Sequence, residues 1–158
     1  MALLTETQAA YLAGLIDGEG CLHIQRMVND SKNPGPHFSA RVTFLFATAE
    51  PLITVCGWLG LSPKMAIYPS AKGKVRYRCD LKRSMIEPVL NECLPFMILK
   101  HRQAEILLEV VRDRKKHKDY FGKFTTTDKT TIQKMEVLWK ECRDLKIIKR
   151  IEEKEVPS

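Results

Sequence analysis

Hydrophobic and polar positions along the chain predict a mixed order of helices and strands. Thr5 and Gln8 have capping-box spacing, so a helix is predicted from about Glu6. Within it Ala10, Ala13, Gly14 and Asp17 recur at i, i+3, i+4 and i+7, a face of small side chains, while Leu12, Leu15 and Ile16 point elsewhere, toward a core. Gly18 and Gly20 are expected to end the helix, with Glu19 between them. Cys21 to Asn29 alternates as a strand, with Leu22, Ile24 and Val28 on one face and His23, Gln25, Met27 and Asn29 on the other; Arg26 breaks the pattern. Asp30 to Pro36 has loop composition. His37 to Thr48 is a second strand, with Phe38, Ala40, Val42, Phe44 and Phe46 facing in and Ser39, Arg41 and Thr43 facing out.

A short helix is expected over Glu50 to Gly60, then a hairpin of Lys64–Pro69 with Lys74–Leu81. A helix from about Ser84 is expected to bend or restart at Pro88, and Pro95 separates it from one running from about Ile98 to Lys115, which would bury Leu99, Ile106, Leu107, Val110 and Val111. The last helix starts near Asp128 and carries Ile132, Met135, Leu138, Cys142, Leu145 and Ile148 in three- and four-residue steps. The order is α-β-β-α-β-β-α plus C-terminal helices: an α+β class with an antiparallel four-stranded sheet, one domain over 1–158 with a core of about 6–110 and a helical extension of about 111–158.

Composition changes this picture little and charge changes it more. The 158 residues are 44% hydrophobic and 28% charged, ordinary for one folded domain. No apolar run reaches a membrane span and no signal peptide is expected. The five cysteines are odd in number and lack a Cys-x-x-Cys pair, which predicts reduced thiols in an intracellular protein. His23, His37, His101 and His117 have no metal-ligand spacing. Net charge is +7, and the basic charge is concentrated: Lys64, Lys72, Lys74, Arg76, Arg78, Lys82 and Arg83 stand against Asp80 alone. A cation-rich strand face suits the DNA major groove, and equally a solvated sheet guarded by edge lysines. On the DNA reading Gln25, Arg41, Arg76 and Arg78 are base-reading candidates. Ser39, Thr43, His23, Asn29 and Tyr68 support them, and Lys64, Lys74 and Lys82 meet phosphate.

The residue string at the end of the first helix narrows the choice. A glycine stop beside an exposed Glu is an ordinary helix ending. Two copies packed along the small face of Ala10, Ala13, Gly14 and Asp17 would instead bring two Glu19 carboxylates together as a divalent-metal site. Leu12-Ala13-Gly14-Leu15-Ile16-Asp17-Gly18-Glu19-Gly20 resembles the signature of the LAGLIDADG homing endonucleases, with Gly for Ala and Glu for Asp in its last third. Pro95 to Ala104 is similar to the corresponding stretch of the single-motif, chloroplast-intron members, whose active-site lysine matches Lys100. The resemblance covers roughly residues 6–110. It implies a homodimer that cuts a long pseudo-palindromic duplex site with Mg²⁺ or another divalent cation such as Mn²⁺, leaving short 3′ overhangs. Glu19 and the Gly18 carbonyl would be metal ligands, and Glu19 and Lys100 the catalytic pair. That type also carries a water-organising Gln after the second strand and an Arg one turn later. Here Phe46-Ala47-Thr48-Ala49-Glu50-Pro51-Leu52-Ile53 has neither, and Thr48 is the available hydroxyl. An alternative of the same fold is a nucleic-acid-binding protein without nuclease activity, either a DNA-binding protein or a maturase acting on intron RNA. A second alternative is an unrelated basic α+β protein that dimerises through its small-residue helix. The expected compartment is chloroplast, mitochondrion, or a prokaryotic or phage cytoplasm.

Overall fold

The computed structural model describes residues 2–30, 33–61, 66–69, 75–116 and 129–155. Its elements are α1 (Glu6–Glu19), β1 (Gly20–Asp30), β2 (Asn33–Phe46), α2 (Glu50–Trp58), β3 (Ala66–Pro69), β4 (Val75–Asp80), α3 (Arg83–Cys93), α4 (His101–Lys116) and α5 (Lys129–Glu155), with a 3₁₀ turn at Leu94–Phe96. This is the predicted order. The strands form one antiparallel sheet in the order β1-β2-β4-β3. One face carries Leu22, Ile24, Phe38, Ala40, Val42, Phe44 and Phe46 into a core shared with Leu12 and Ile16 of α1, Leu52 and Val55 of α2, Val89 and Leu90 of α3, and Ile106, Leu107 and Val110 of α4. Each of these larger side chains contributes roughly 1.5–3 kcal/mol by leaving water.

The start of α1 follows from its sequence. Thr5 Oγ1 accepts from the Gln8 N–H at 3.3 Å and Gln8 Oε1 accepts from the Thr5 N–H at 2.9 Å, closing the capping box. The Glu92 carboxylate then takes the N–H groups of Leu3 and Leu4 at 2.6 and 2.8 Å, fastening the chain start to α3. At the other end α1 runs through Gly18 to Glu19 before Gly20 caps it. Gly20 is required by proximity: a Cβ there would lie 2.7 Å from the Ile16 carbonyl oxygen.

Four expectations need correction. Of the loop expected over Asp30 to Pro36, Asp30 and Asn33 to Pro36 are strand residues, Asp30 pairing with Asn33 and Val28 with Pro36, while residues 31 and 32 lie outside the described residues. Among the described residues the proline-bearing start of β2 pairs with β1 and not with β4, whose partners on β2 are residues 43–46, and proline is tolerated on such a half-free strand. The helix does not restart at Pro88, which lies inside a continuous α3. The helix expected from Ile98 begins instead at His101, leaving Ile98 and Leu99 85% and 65% exposed. Leu99 is therefore not a core residue, whereas Ile106, Leu107, Val110 and Val111 are. Arg26 explains its break in the strand pattern: it leaves the apolar face of β1 to pair with Glu136 at 2.7 Å and to lie over the Trp139 ring of α5. Through Met135, Leu138 and Cys142, α5 joins the same core.

Candidate active site and nucleic-acid interface

The end of α1 and the approach to α4 are tied together by two reciprocal caps. The Asp17 carboxylate, buried at 7% exposure, accepts N–H bonds from Ile98 (2.7 Å), Leu99 (3.1 Å) and Lys100 (2.9 Å), just ahead of the first turn of α4. In return Lys100 Nζ donates to the carbonyls of Ile16 (2.7 Å), Asp17 (2.7 Å) and Gly20 (2.8 Å). An ammonium suits that position, because unpaired carbonyls and the helix dipole make the end of α1 negative. Lys100 is thereby held beside the exposed Gly18 and Glu19, and the two candidate catalytic side chains flank one helix end although they lie far apart in the chain.

The predicted small face divides. Ala10 and Gly14 are exposed, but Ala13 is fully buried and Asp17 is taken up by the caps. Helical twist moves the open stripe onto Ala10, Gly14 and Gly18, with half-exposed Tyr11 alongside, its ring edge-on to Trp58 at 5.5 Å. A Cβ added at Gly14 or Gly18 would meet nothing within 4 Å among the described residues beyond its own helix turn. That stripe can accept another backbone, and a second chain there would bring a second Glu19 close. Among the described residues no group of three His, Cys, Asp or Glu side chains could hold a metal ion; the end of α1 presents the exposed Glu19 and its neighbouring carbonyls. This donor set fits half of a shared divalent-cation site: a hard carboxylate oxygen, open to solvent, at a carbonyl-rich helix end.

Register places the predicted interface residues on one face, since residues opposite each other in antiparallel strands share it. Cys21 faces Thr43, His23 faces Arg41, Gln25 faces Ser39, and Thr43 faces Asp80. Tyr68 stands opposite Arg76, and Asn29 lies at the register shift between Val28 and Asp30. Lys64 and Lys74 lie outside the described residues, and Lys82 is exposed just before α3. Gln25 and Arg41 are hydrogen-bonded to each other at 3.1 Å, and Arg78 pairs with Asp80 at 3.1 Å. Burial opposes ionisation of Asp80, but bonds from Thr43 and Arg78 outweigh it and hold the carboxyl below its ordinary range. Two candidates are less open than the alternation implied. Thr43, buried, donates to Asp80 at 2.5 Å, and Ser39, also buried, accepts from Arg83 at 3.3 Å.

Thr48 is also engaged. The Glu50 carboxylate is held below its ordinary range first by its own backbone N–H and then by the Thr48 hydroxyl. His101 pairs with Glu105 at 3.6 Å and takes no part in the paired caps. All five cysteines are free thiols. Cys21 stands out: bonding to His23, opposed by partial burial and assisted by Lys146, brings its thiol down to about 7. The sequence reading missed three things here: the role of Asp17, the cap made by Lys100, and the approach of Lys146 from α5. Asp17 carried a signal, being the one charged residue in an otherwise small and apolar helix face.

No protein-family model matches the chain, and no curated protein sequence matches it. Solved structures do. A structure of the homing endonuclease I-CvuI in complex with a DNA target superposes with a TM-score of 0.66 at 18% identity, covering 89% of this chain and 82% of that one. The archaeal intron-encoded homing endonuclease I-Vdi141I, complexed with DNA, gives 0.65 at 16% identity over 89% and 84%. The LAGLIDADG meganuclease I-AabMI, bound to uncleaved DNA, gives 0.57 at 18% identity, over 83% of this chain but only 43% of the longer one. With its helix-ended motif, four-stranded antiparallel sheet and flanking helices, the chain has the fold of the LAGLIDADG homing endonucleases.

Proposed function

We propose that the chain is a site-specific DNA endonuclease of the LAGLIDADG type, acting as a homodimer on a long, pseudo-palindromic duplex. The observation that carries this reading is the convergence of Glu19, Gly18 and Lys100 at one open helix end beside a polar sheet face. Two copies packed along Ala10, Gly14 and Gly18 present two such ends on one axis, and a twofold protein matches a twofold target. Glu19 from each chain and the Gly18 carbonyl would hold Mg²⁺ or a similar cation. When bound, the cation supplies an activated water and stabilises charge on the phosphate. Lys100 fixes the end of α1, and so the place of Glu19, and its ammonium adds positive charge next to the scissile phosphate. Gln25, Arg41, Arg76 and Arg78 read base edges; Gln25 and Arg41 exchange their mutual bond for bonds to DNA. Cleavage leaves short 3′ overhangs and serves mobility of the chain's own intron.

A second reading keeps the fold and removes the chemistry: a DNA-binding protein or a maturase bound to intron RNA. It is favoured by the absence of the Gln and Arg expected after β2 and by the engagement of Thr48 with Glu50. Incubation with supercoiled plasmids carrying randomised inserts separates the two. The nuclease gives linear products with Mg²⁺ and none with EDTA, whereas the binding protein retains plasmid in either condition and cuts it in neither.

A further inference from the structure

Ile98 and Leu99 are adjacent aliphatic side chains left in solvent, 85% and 65% exposed. Single exposed apolar residues are ordinary, but a contiguous apolar patch marks a contact surface. The position of this pair is fixed. Both N–H groups are bonded to the Asp17 carboxylate, at 2.7 and 3.1 Å, so the two side chains stand beside the last turn of α1. At 3.6 residues per turn, Asp17 lies about 60° to one side of Gly14 around the helix axis and Tyr11 about 60° to the other. The open stripe of Ala10, Gly14 and Gly18 runs between them. One flank of the stripe is therefore aliphatic, Ile98 with Leu99. The other is aromatic, half-exposed Tyr11 with its edge-on neighbour Trp58.

A twofold axis along the stripe turns these flanks onto each other. For two α1 helices running in the same direction, as the meeting of two Glu19 ends requires, a half-turn about an axis parallel to them sets the aliphatic flank of each chain opposite the aromatic flank of the other. We propose that Ile98 and Leu99 of one chain pack on Tyr11 and Trp58 of a second copy, twice over, and that this exchange fixes how the two chains pair. The contact rests on the homodimer proposed above and deepens it by naming what orients the pair. In a twofold interface residue i meets j and j meets i, so one surface must carry both complements. The surface around α1 does, with an aliphatic and an aromatic group on opposite sides of Gly14. An antiparallel pair, related by an axis across the helices, would instead set like flank on like and part the two Glu19 carboxylates.

Sedimentation velocity of the full chain, with neither DNA nor divalent metal present, tests the pairing. Leu99→Lys and Tyr11→Glu each set a charge against an apolar flank in both copies of the contact. Each is expected to weaken dimerisation roughly a hundredfold, about tenfold per copy. Equal parts of the two variants are expected to recover a dimer with one chain of each, which native mass spectrometry identifies. In that mixed pair one contact joins Lys to Glu and the other keeps Leu99 against Tyr11. Val137→Lys, on a comparably exposed residue of α5 (64%), is the control and should dimerise as the native chain does. Circular dichroism checks the fold, and Ile98→Lys repeats the test on the neighbouring side chain if Leu99→Lys misfolds. A native dimer that Leu99→Lys leaves intact, or variants that stay monomeric when mixed, would overturn the pairing and leave the homodimer in place. A native chain that is monomeric at every concentration would overturn both. Cleavage is not a readout, so a chain without nuclease activity leaves the test intact.

Discussion

Replacing Asp17 by Asn tests the paired caps with a change of one atom. Asp17 Oδ2 accepts from Ile98 and Leu99, and Oδ1 from Lys100. In the Asp17→Asn variant one oxygen becomes an NH₂ group, so either two backbone donors face a donor or, with the amide flipped, one does. Bonds to a charged acceptor are worth about 1.5–3 kcal/mol each, and a buried donor left facing another donor costs a similar amount. Ile98 and Leu99 are exposed, so water recovers part of the loss. The net expectation is about 3 kcal/mol, which for a domain of this size lowers Tm by roughly 6–12 °C. Lys100→Met removes the opposite tie. Because both ties join the same two segments, the double variant should be more stable than the summed single losses predict, by at least about 0.5 kcal/mol. Urea denaturation of the four proteins, with m-values compared, measures this. If Asp17→Asn stays within about 0.5 kcal/mol of the native chain, or the two losses simply add, the caps are not the joint described here.

Gly14→Val places a side chain whose Cβ meets nothing within 4 Å beyond its own helix turn among the described residues, and valine is no worse a helix former than glycine, so the fold should keep its stability within about 1 kcal/mol while dimerisation fails. Sedimentation velocity checks this, and an undisturbed dimer would move the interface elsewhere. Cys21, exposed and lowered to about 7, should be the first thiol to react with iodoacetamide, its rate rising with pH through about 7 as the thiolate forms. Cys79 and Cys93, pushed up to about 12 chiefly by burial, should stay unmodified in the folded chain, as peptide mapping would reveal. His23→Ala removes the chief stabiliser of that thiolate and should shift the alkylation profile to higher pH.

Local signals in the sequence were reliable where the partner is also local. The Thr5–Gln8 cap, the alternation of β2 and the steps of α5 from Met135 to Leu145 depend on neighbours within a few residues, and the structure has them. Asp17 was placed with the small face because helical spacing puts it near Ala13 and Gly14, yet its partners lie 81 to 83 residues onward. The same long-range tie exposes Leu99, which periodicity alone assigns to a helix interior. Composition misjudged Asn33 to Pro36, because proline excludes a central strand but not one at a sheet's edge. Charge in the sequence marked the sheet face without showing its internal pairs, Gln25 with Arg41 and Arg78 with Asp80, which depend on cross-strand register or side-chain rotamer.

The central claim is that Glu19, from two copies of the chain, is the carboxylate that makes this fold a nuclease. Cleavage of a randomised duplex library with Mg²⁺, by the native chain and by Glu19→Gln, tests it most directly. Glu19 is exposed, so the variant should keep its stability within about 0.5 kcal/mol and its affinity for duplex DNA. Discrete double-strand cuts at one related set of sites are expected with the native chain and none with the variant. Equal cutting by both proteins, or enrichment of bound sites with no cuts by either, would contradict it.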